Sequence, residues 1–245
     1  MLPFLIFWMV QYDNVSKDYS KMHSVEPIKV FAQYPTVISL LGPAKGKLFL
    51  DVGCGDGVIA RVLAKNGGQV VGYDISEKQI SLAKELSTAY SQLEFFVSSP
   101  KDFSYPKKFD AAYAAMVLCY LNDLSEVQAL FDSVFSSLKE KGFFVLIDLD
   151  KSRVLLEKDF FSRKFHLLQS GKMELNFHVP GTKAFTVQLT GFTPNDFEDC
   201  AKKSGFRSIQ WLPLEFSLEG KKQVGADFLK EYEKFSYWIV GVFQK

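Results

Sequence analysis

The chain has 245 residues, 47% of them apolar, and a formal net charge of +1. That length suits one α/β domain with a sizeable core, and the lack of a basic run or stripe removes the electrostatic case for a nucleic-acid partner. Cys54, Cys119 and Cys200 are widely spaced and odd in number, which fits reduced thiols of a cytoplasmic protein and not a disulfide framework or a zinc site.

Met1 to Val10 is almost wholly apolar. It is too short to cross a bilayer and lacks the basic start and small-residue cleavage site of a signal peptide. Two readings stay open: translation starts at Met9, or the segment is an arm that packs on the domain or on a partner subunit. Tyr12 to Met22 is polar and aromatic. Helical spacing then runs from Ile28 to Leu41 and stops at Gly42-Pro43.

Leu48 to Gly57, L-F-L-D-V-G-C-G-D-G, carries the most information. A short apolar run ends in an acid, Asp51. Gly53, Gly55 and Gly57 follow at alternate positions, with Cys54 among them, and a helical pattern restarts at Val58. This reads as strand, tight turn and helix, with glycines where the backbone turns sharply or a ligand approaches closely. The helix then points its free N–H groups at that ligand. A dinucleotide fingerprint, G-x-G-x-x-G, needs glycine or alanine where Val58 stands, and it requires no acid ahead of the first glycine.

Gln69 to Asp74 is a second strand ending in an acid 17 residues past Gly57, close to the spacing of about 20 for a ribose-binding acid. Ser76-x-x-Gln79 reads as a capping box opening a helix that runs to Tyr90. Leu93 to Val97 and Phe109 to Met116 are the third and fourth strands, Leu124 to Lys139 is a helix, and Gly142 to Leu149 is a fifth strand, continuously apolar as inside a parallel sheet. Lys151 to Ser170 reads as helical. Met173 to Val179 and Ala184 to Thr190 read as a hairpin about Pro180-Gly181. Thr193-Pro194 opens a helix that Gly205 closes, and Arg207 to Phe216 and Tyr237 to Phe243 are the last two strands. Strands alternating with helices predict a doubly wound α/β sheet with its ligand at the carboxyl ends of the strands. Gly53 to Gly57, Asp74, Ser98 and Ala115 converge there.

The pattern D-x-G-x-G-x-G at Asp51 to Gly57 resembles motif I of the class I S-adenosylmethionine (SAM)-dependent methyltransferases. Phe109 to Leu121, F-D-A-A-Y-A-A-M-V-L-C-Y-L, and Leu138 to Phe143, L-K-E-K-G-F, resemble the fourth-strand motif of that family and its turn into strand five. From about Tyr12 to Gln244 the chain resembles the small-molecule branch that contains ubiquinone and menaquinone methyltransferases. The resemblance implies a Rossmann-like seven-stranded sheet with an antiparallel last strand and a cap or hairpin insertion before the last helix. It implies one domain over 1–245: an N-terminal arm and lid (1–45), a SAM-binding core (46–150), a substrate cap (151–192) and the C-terminal strands (193–245). It also implies that Asp51, Gly53, Cys54, Gly55 and Gly57 hold the methionine end of SAM and that Asp74 holds the ribose. Ile75 would pack on adenine, Ala115 would border the site, and Tyr12 and Tyr19 would cover the cofactor. The family usually has an acid and a small residue after the third strand. Here Ser98-Ser99 stands there, and a serine can still accept a hydrogen bond from the adenine amino group.

By the same resemblance the activity is methyl transfer to O, N or C of a small molecule by in-line displacement, leaving S-adenosyl-L-homocysteine (SAH), with no metal. The leaving group is neutral, so no acid is needed. If the acceptor needs a base, the candidates are His166, His178, Tyr120 and Asp150. Asp148 and Asp150 are too few for a metal site. The N-P-P-Y type motif of amino-methylating enzymes is replaced by Ala115-Met116-Val117-Leu118. Phe160, Phe161, Phe165, Phe177, Phe185 and Phe192 around the insertion suit an aromatic or apolar acceptor. Two other readings compete: a SAM-fold protein that binds cofactor or a partner without catalysis, and an NAD-dependent oxidoreductase, which Val58 and Asp51 oppose. The sequence indicates no transmembrane segment and does not set the oligomeric state.

Overall fold

The structure, a computed structural model, describes residues 25–178 and 183–245; Met1 to Val10, Tyr12, Tyr19 and the Pro180-Gly181 turn lie outside the described residues. Five strands follow one another as β1 (Leu48–Val52), β2 (Gln69–Asp74), β3 (Leu93–Val97), β4 (Phe109–Ala115) and β5 (Leu138–Leu149). A second sheet is built from β6 (Arg163–Leu167), β7 (Met173–Phe177) and β8 (Phe185–Leu189), and β9 (Ser208–Pro213) and β10 (Trp238–Gln244) complete the first. The main sheet has the order β3-β2-β1-β4-β5-β10-β9. Its first five strands are parallel, and β10 runs antiparallel between β5 and β9. This is the doubly wound sheet with an antiparallel last strand that the motifs imply. Reversing β10 brings its first residues to the carboxyl edge of the other strands, with Trp238 opposite Leu149.

The helices are α1 (Tyr34–Leu41), α2 (Val58–Lys65), α3 (Glu77–Leu86), α4 (Leu124–Ser137), α5 (Pro194–Ser204), α6 (Leu218–Val224) and α7 (Ala226–Phe235). The sheet is covered on both faces, and β1 shows why. Phe49 faces a layer holding Val37, Leu63 and Ile80, whereas Leu50 and Val52 face the layer of Leu130, Phe131 and Val134. On α4, Val127, Leu130, Phe131 and Val134 form one buried stripe. Phe131 meets Phe144, Phe206 and Phe243 edge-on at centroid distances of 5.7, 6.1 and 5.2 Å. Each such ring contributes about 1.5–3 kcal/mol by leaving water.

Four expectations are corrected. Lys151 to Ser170 is not a helix: a 3-10 turn at Lys151–Arg153 is followed by β6, which widens the expected hairpin to three strands. Glu157, Phe161 and Ser162 take positive φ there, which no right-handed helix allows. α6 and α7 follow α5, so the insertion precedes three helices and not only the last one. The helix from Ile28 opens as a π-helical turn, Lys29–Gln33. Only half of the capping box forms. Ser76 Oγ accepts the Gln79 N–H at 3.2 Å, but the Gln79 side chain makes no return bond.

The cap leaves and rejoins the sheet at one point, where Asp150 bridges to Phe192 and Lys151 N donates to Phe192 O at 3.0 Å. Among the described residues no helix is long and apolar enough to cross a membrane.

Candidate functional site

The three glycines of the first loop do different work. All three have positive φ. A Cβ on Gly53 would lie 2.6 Å from a Val117 methyl, and one on Gly57 would lie 2.8 Å from the Phe95 ring. Those two glycines let the loop pack against its own protein. Among the described residues, a Cβ on Gly55 would meet nothing nearer than Gln79 Oε1 at 3.9 Å. Among the described residues Gly55 therefore faces open space, and a side chain there would fill a cradle.

Carboxylates surround that cradle. Asp74 at the end of β2 accepts the Gly55 N–H at 3.0 Å through Oδ2 and the Ser76 N–H at 2.9 Å through Oδ1. It thus fixes the loop through two backbone N–H groups. Asp51 is 5% exposed. Burial pushes its carboxyl up to about 8. The register partner Tyr113 opposes this without completing a hydrogen bond, and Asp74 and Asp56 raise it further. The free protein therefore holds Asp51 largely protonated at neutral pH, in a site that favours an incoming positive charge. Gln79 is 2% exposed, and neither its Nε2 nor its Oε1 has a hydrogen-bond partner. A buried amide left so is rare.

The other expected site residues fall as follows. Cys54 serves through its backbone, with its N–H donated to Tyr73 O at 3.0 Å, while burial raises its thiol and its Cβ packs near Gly72. Ile75 is 37% exposed beside Asp74. Ser98 N donates to Asp74 O at 3.0 Å, so the two strand ends meet. The Ser98 and Ser99 hydroxyls are turned into their own loop, to Ser99 O at 3.2 Å and Asp102 Oδ2 at 2.5 Å. After Ala115, Met116 takes φ of 60° and donates its N–H to Ile147 O at 2.7 Å. This sharp turn, of a kind that clusters at functional sites, delivers Val117 to Gly53.

Asp148 holds that turn. It is fully buried, and its oxygens accept the N–H groups of Leu118, Cys119 and Leu149 at 2.9, 3.2 and 2.8 Å. Asp150 accepts Ser152 N and Oγ at 2.9 and 2.6 Å. Both acids act as backbone anchors. His166 Nδ1 lies 2.7 Å from Glu157, and His178 Nε2 lies 2.7 Å from Asp159. Along β6, Arg163 and Phe165 are buried while Lys164 and His166 alternate to the other side, so His166 faces away from the sheet edge. Of the four candidate bases, Tyr120 alone lines the second crevice, between the cap and the start of β10.

Sequence reasoning missed Gln79, Lys29, Gln33, Glu26, Arg163 and Tyr237. The polar residues Glu26, Lys29 and Gln33 interrupting an apolar run were a usable signal. Arg163 offered none, because its partner Glu26 is 137 residues away.

Residues 50–146 match the family described as a methyltransferase domain. The chain is 30% identical to YqeM of Bacillus subtilis over 151 residues, which are 60% of this chain and 58% of that protein. It is 27% identical over 117 residues to the ubiquinone biosynthesis O-methyltransferase of Thiobacillus denitrificans, covering 46% of this chain and 48% of that one. It thus spans about half the length of these curated relatives. The fold of the chain recurs in a solved S-adenosylmethionine-dependent methyltransferase from Mesorhizobium loti, with a TM-score of 0.65, 17% identity, and 91% of this chain and all of that one covered.

Proposed function

We propose that the protein transfers a methyl group from SAM to a small-molecule acceptor. The carrying observation is the loop in which Gly53 and Gly57 are wedged by protein while Gly55 faces open space between Asp51, Asp74 and Gln79. These residues suit the cofactor chemically. Asp51, starved of positive charge, complements an ammonium. Asp74 brings a carboxylate at the end of β2 to the ribose hydroxyls, the half-exposed Ile75 offers an apolar face to a purine, and the start of α2 directs N–H groups at a carboxylate. Gln79 would complete its hydrogen bonds against the same ligand. Bound SAM supplies an activated methyl on a cationic sulfur with a neutral leaving group.

The protein's own work is therefore positioning, a term that reaches about 7–11 kcal/mol in well-oriented reactions. Asp148 supports it by fixing the turn that carries Tyr120. Residues 46–150 form the cofactor half in this reading, and 151–192 the acceptor cap, where Phe165 and Phe177 give the crevice an apolar wall. The small-molecule acceptor is consistent with the quinone-pathway name of the Thiobacillus denitrificans relative. Three buried free thiols suit a cytoplasmic setting.

Calorimetric titration with SAH, and with NAD as control, tests the reading. Asp74→Ala removes an anchor of the loop and the ribose acceptor together, so SAH affinity falls roughly a hundredfold, about 2.7 kcal/mol. SAH that fails to bind, or NAD that binds in its place, refutes the assignment. Asp51 gives a second readout. Its carboxyl titrates near 8 in the free protein, and an ammonium beside it favours the ionised form. SAH binding at pH 7 therefore releases close to one proton, and the release fades by about pH 9, where Asp51 is already ionised. Enthalpies in buffers of different ionisation heat measure this. Asp51→Asn abolishes the release, and a wild type that releases none at pH 7 does not bring the ammonium to Asp51.

A further inference from the structure

The main sheet ends at β3, which has β2 on one side and, among the described residues, no strand on the other. The ladder shows which backbone groups are left over. Val70 N donates to Gln92 O at 3.1 Å, and Ser98 N donates to Asp74 O at 3.0 Å. In a parallel ladder alternate residues turn both backbone groups to one neighbour, so Glu94 and Phe96 also bond to β2. Leu93, Phe95 and Val97 turn outward. The Leu93 N–H goes back to Tyr90 O at 3.3 Å. Among the described residues, both groups of Phe95, both of Val97 and the Leu93 carbonyl stay open at the edge.

Nothing in β3 blunts this edge. Edge strands are commonly guarded by lysine, proline or a bulge. β3, L-E-F-F-V, has none of these: its register with β2 is unbroken, and its one charge, Glu94, accepts the Tyr105 hydroxyl at 2.7 Å. Phe96 and Val97 are 41% and 48% exposed, and Leu86 at the end of α3 is exposed as well. The opposite edge differs, since β9 ends in Pro213 and exposes no large apolar side chain. A groove of about 310 Å³ runs along β3, lined by Lys84, Ser87 and Leu93 to Phe96. Successive side chains of a strand point to opposite faces, so a groove lined by Phe95 and by both its neighbours lies against the edge and not on one face. In its wall, the buried Ser87 Oγ has no hydrogen-bond partner.

We infer that this edge pairs with β3 of a second copy of the chain, antiparallel about a two-fold axis at Phe95. The open groups set the register. Phe95 offers a donor and an acceptor together, so across the axis each Phe95 N–H meets the Phe95 carbonyl of the other copy. Two residues on, the Val97 N–H meets the Leu93 carbonyl of the second copy, the one outward group that Leu93 has free. Every open donor thus finds an acceptor. Phe96 then stands opposite Glu94 of the second copy. The rim of the groove carries Lys84 and Glu94, one charge of each sign, so two copies meet without an excess of like charge. Because the same patch is used on both copies, the seam closes on itself and association stops at a dimer. The inference does not rest on the methyltransferase reading.

Sedimentation equilibrium at micromolar chain concentration tests it. The wild type is expected to show a monomer–dimer equilibrium and nothing larger. Phe96→Glu sets two carboxylates face to face on each side of the axis and weakens the dimer about tenfold. Phe96→Lys sets an ammonium opposite Glu94, keeps the dimer and makes it weaken with added salt. Val97→Pro removes an outward N–H, spares the bonds to β2 and weakens the dimer too. Thermal melts check that each variant stays folded. A monomeric wild type overturns the inference and leaves the edge to an extended peptide of some other protein. Oligomers beyond the dimer overturn it as well, as does a dimer that folded Phe96→Glu or Val97→Pro leaves unchanged. Equal weakening by Phe96→Glu and Phe96→Lys overturns the register.

Discussion

Gly55→Ala leaves the protein folded and removes cofactor binding. The new Cβ meets nothing within 3.9 Å, so the folding cost is the left-handed backbone alone, about 1–2 kcal/mol for a residue with a Cβ. That lowers Tm by only a few degrees in a chain of this size. The Cβ occupies the cradle, however, and SAH affinity falls by roughly a hundredfold, about 2.7 kcal/mol. Gly53→Ala gives the opposite pattern. Its Cβ lies 2.6 and 2.9 Å from the two Val117 methyls, so overpacking of about 1–3 kcal/mol adds to the backbone strain. Val117→Ala in the same chain recovers most of that overpacking. Thermal melts and SAH titrations of the four proteins separate the two roles. Unchanged SAH affinity in a folded Gly55→Ala protein would mean that the loop does not cradle the ligand.

The contrast between Gly53 and Gly55 marks where sequence reading stops. The spacing of Asp51, Gly53, Gly55 and Gly57 encodes a local backbone path, and local paths are legible because positive φ selects glycine. The same holds for β1, β2, β4 and β5, whose apolar runs lie buried on both faces, and for the Thr193 cap of α5, whose capping box forms in full. Which glycine touches protein and which faces a ligand depends on Val117 and Phe95, which arrive from other strands. The misread stretch Lys151 to Ser170 fails for the same reason. Its leucines and phenylalanines keep a spacing that a helix could use, but Phe165 pairs with Leu175 on β7, and Phe161 stacks on Phe228 of α7 at 3.8 Å. Those partners are distant in sequence and override the local pattern. Asp148 and Asp150 looked like a pair at a strand end, yet backbone N–H groups engage both. The second crevice was the least legible part of the site, since it joins Lys29, Met116, Arg163 and Tyr237 from four separate segments.

Glu26→Leu is expected to be the most destabilising single change. Glu26 and Arg163 are both almost fully buried, and the Arg163 guanidinium also lies 5.4 Å from the ring centroids of Phe177 and Trp238. Removing the carboxylate leaves the buried Arg163 guanidinium without its ion-pair partner, a loss of about 3–5 kcal/mol. That is a large share of a typical total of about 5–15 kcal/mol. The loss comes from the uncompensated charge more than from the bond itself, so Glu26→Leu with Arg163→Met recovers most of it. The pH dependence follows with a definite sign. Burial raises the Glu26 carboxyl, but the Arg163 charge, its hydrogen bonds and the N–H groups of Lys29 and Ile28 together hold it below the ordinary value of 4.5. A carboxyl depressed on folding stabilises the protein above its unfolded value, and that contribution is lost as pH falls through the lower folded value. Urea midpoints at pH 7 and across the acid limb check both statements. The wild type loses this increment below about pH 4.5, whereas Glu26→Leu starts lower at pH 7 and lacks it. A single variant within 1 kcal/mol of wild type, or a double variant no more stable than the single, would show that the pair does not carry this part of the fold.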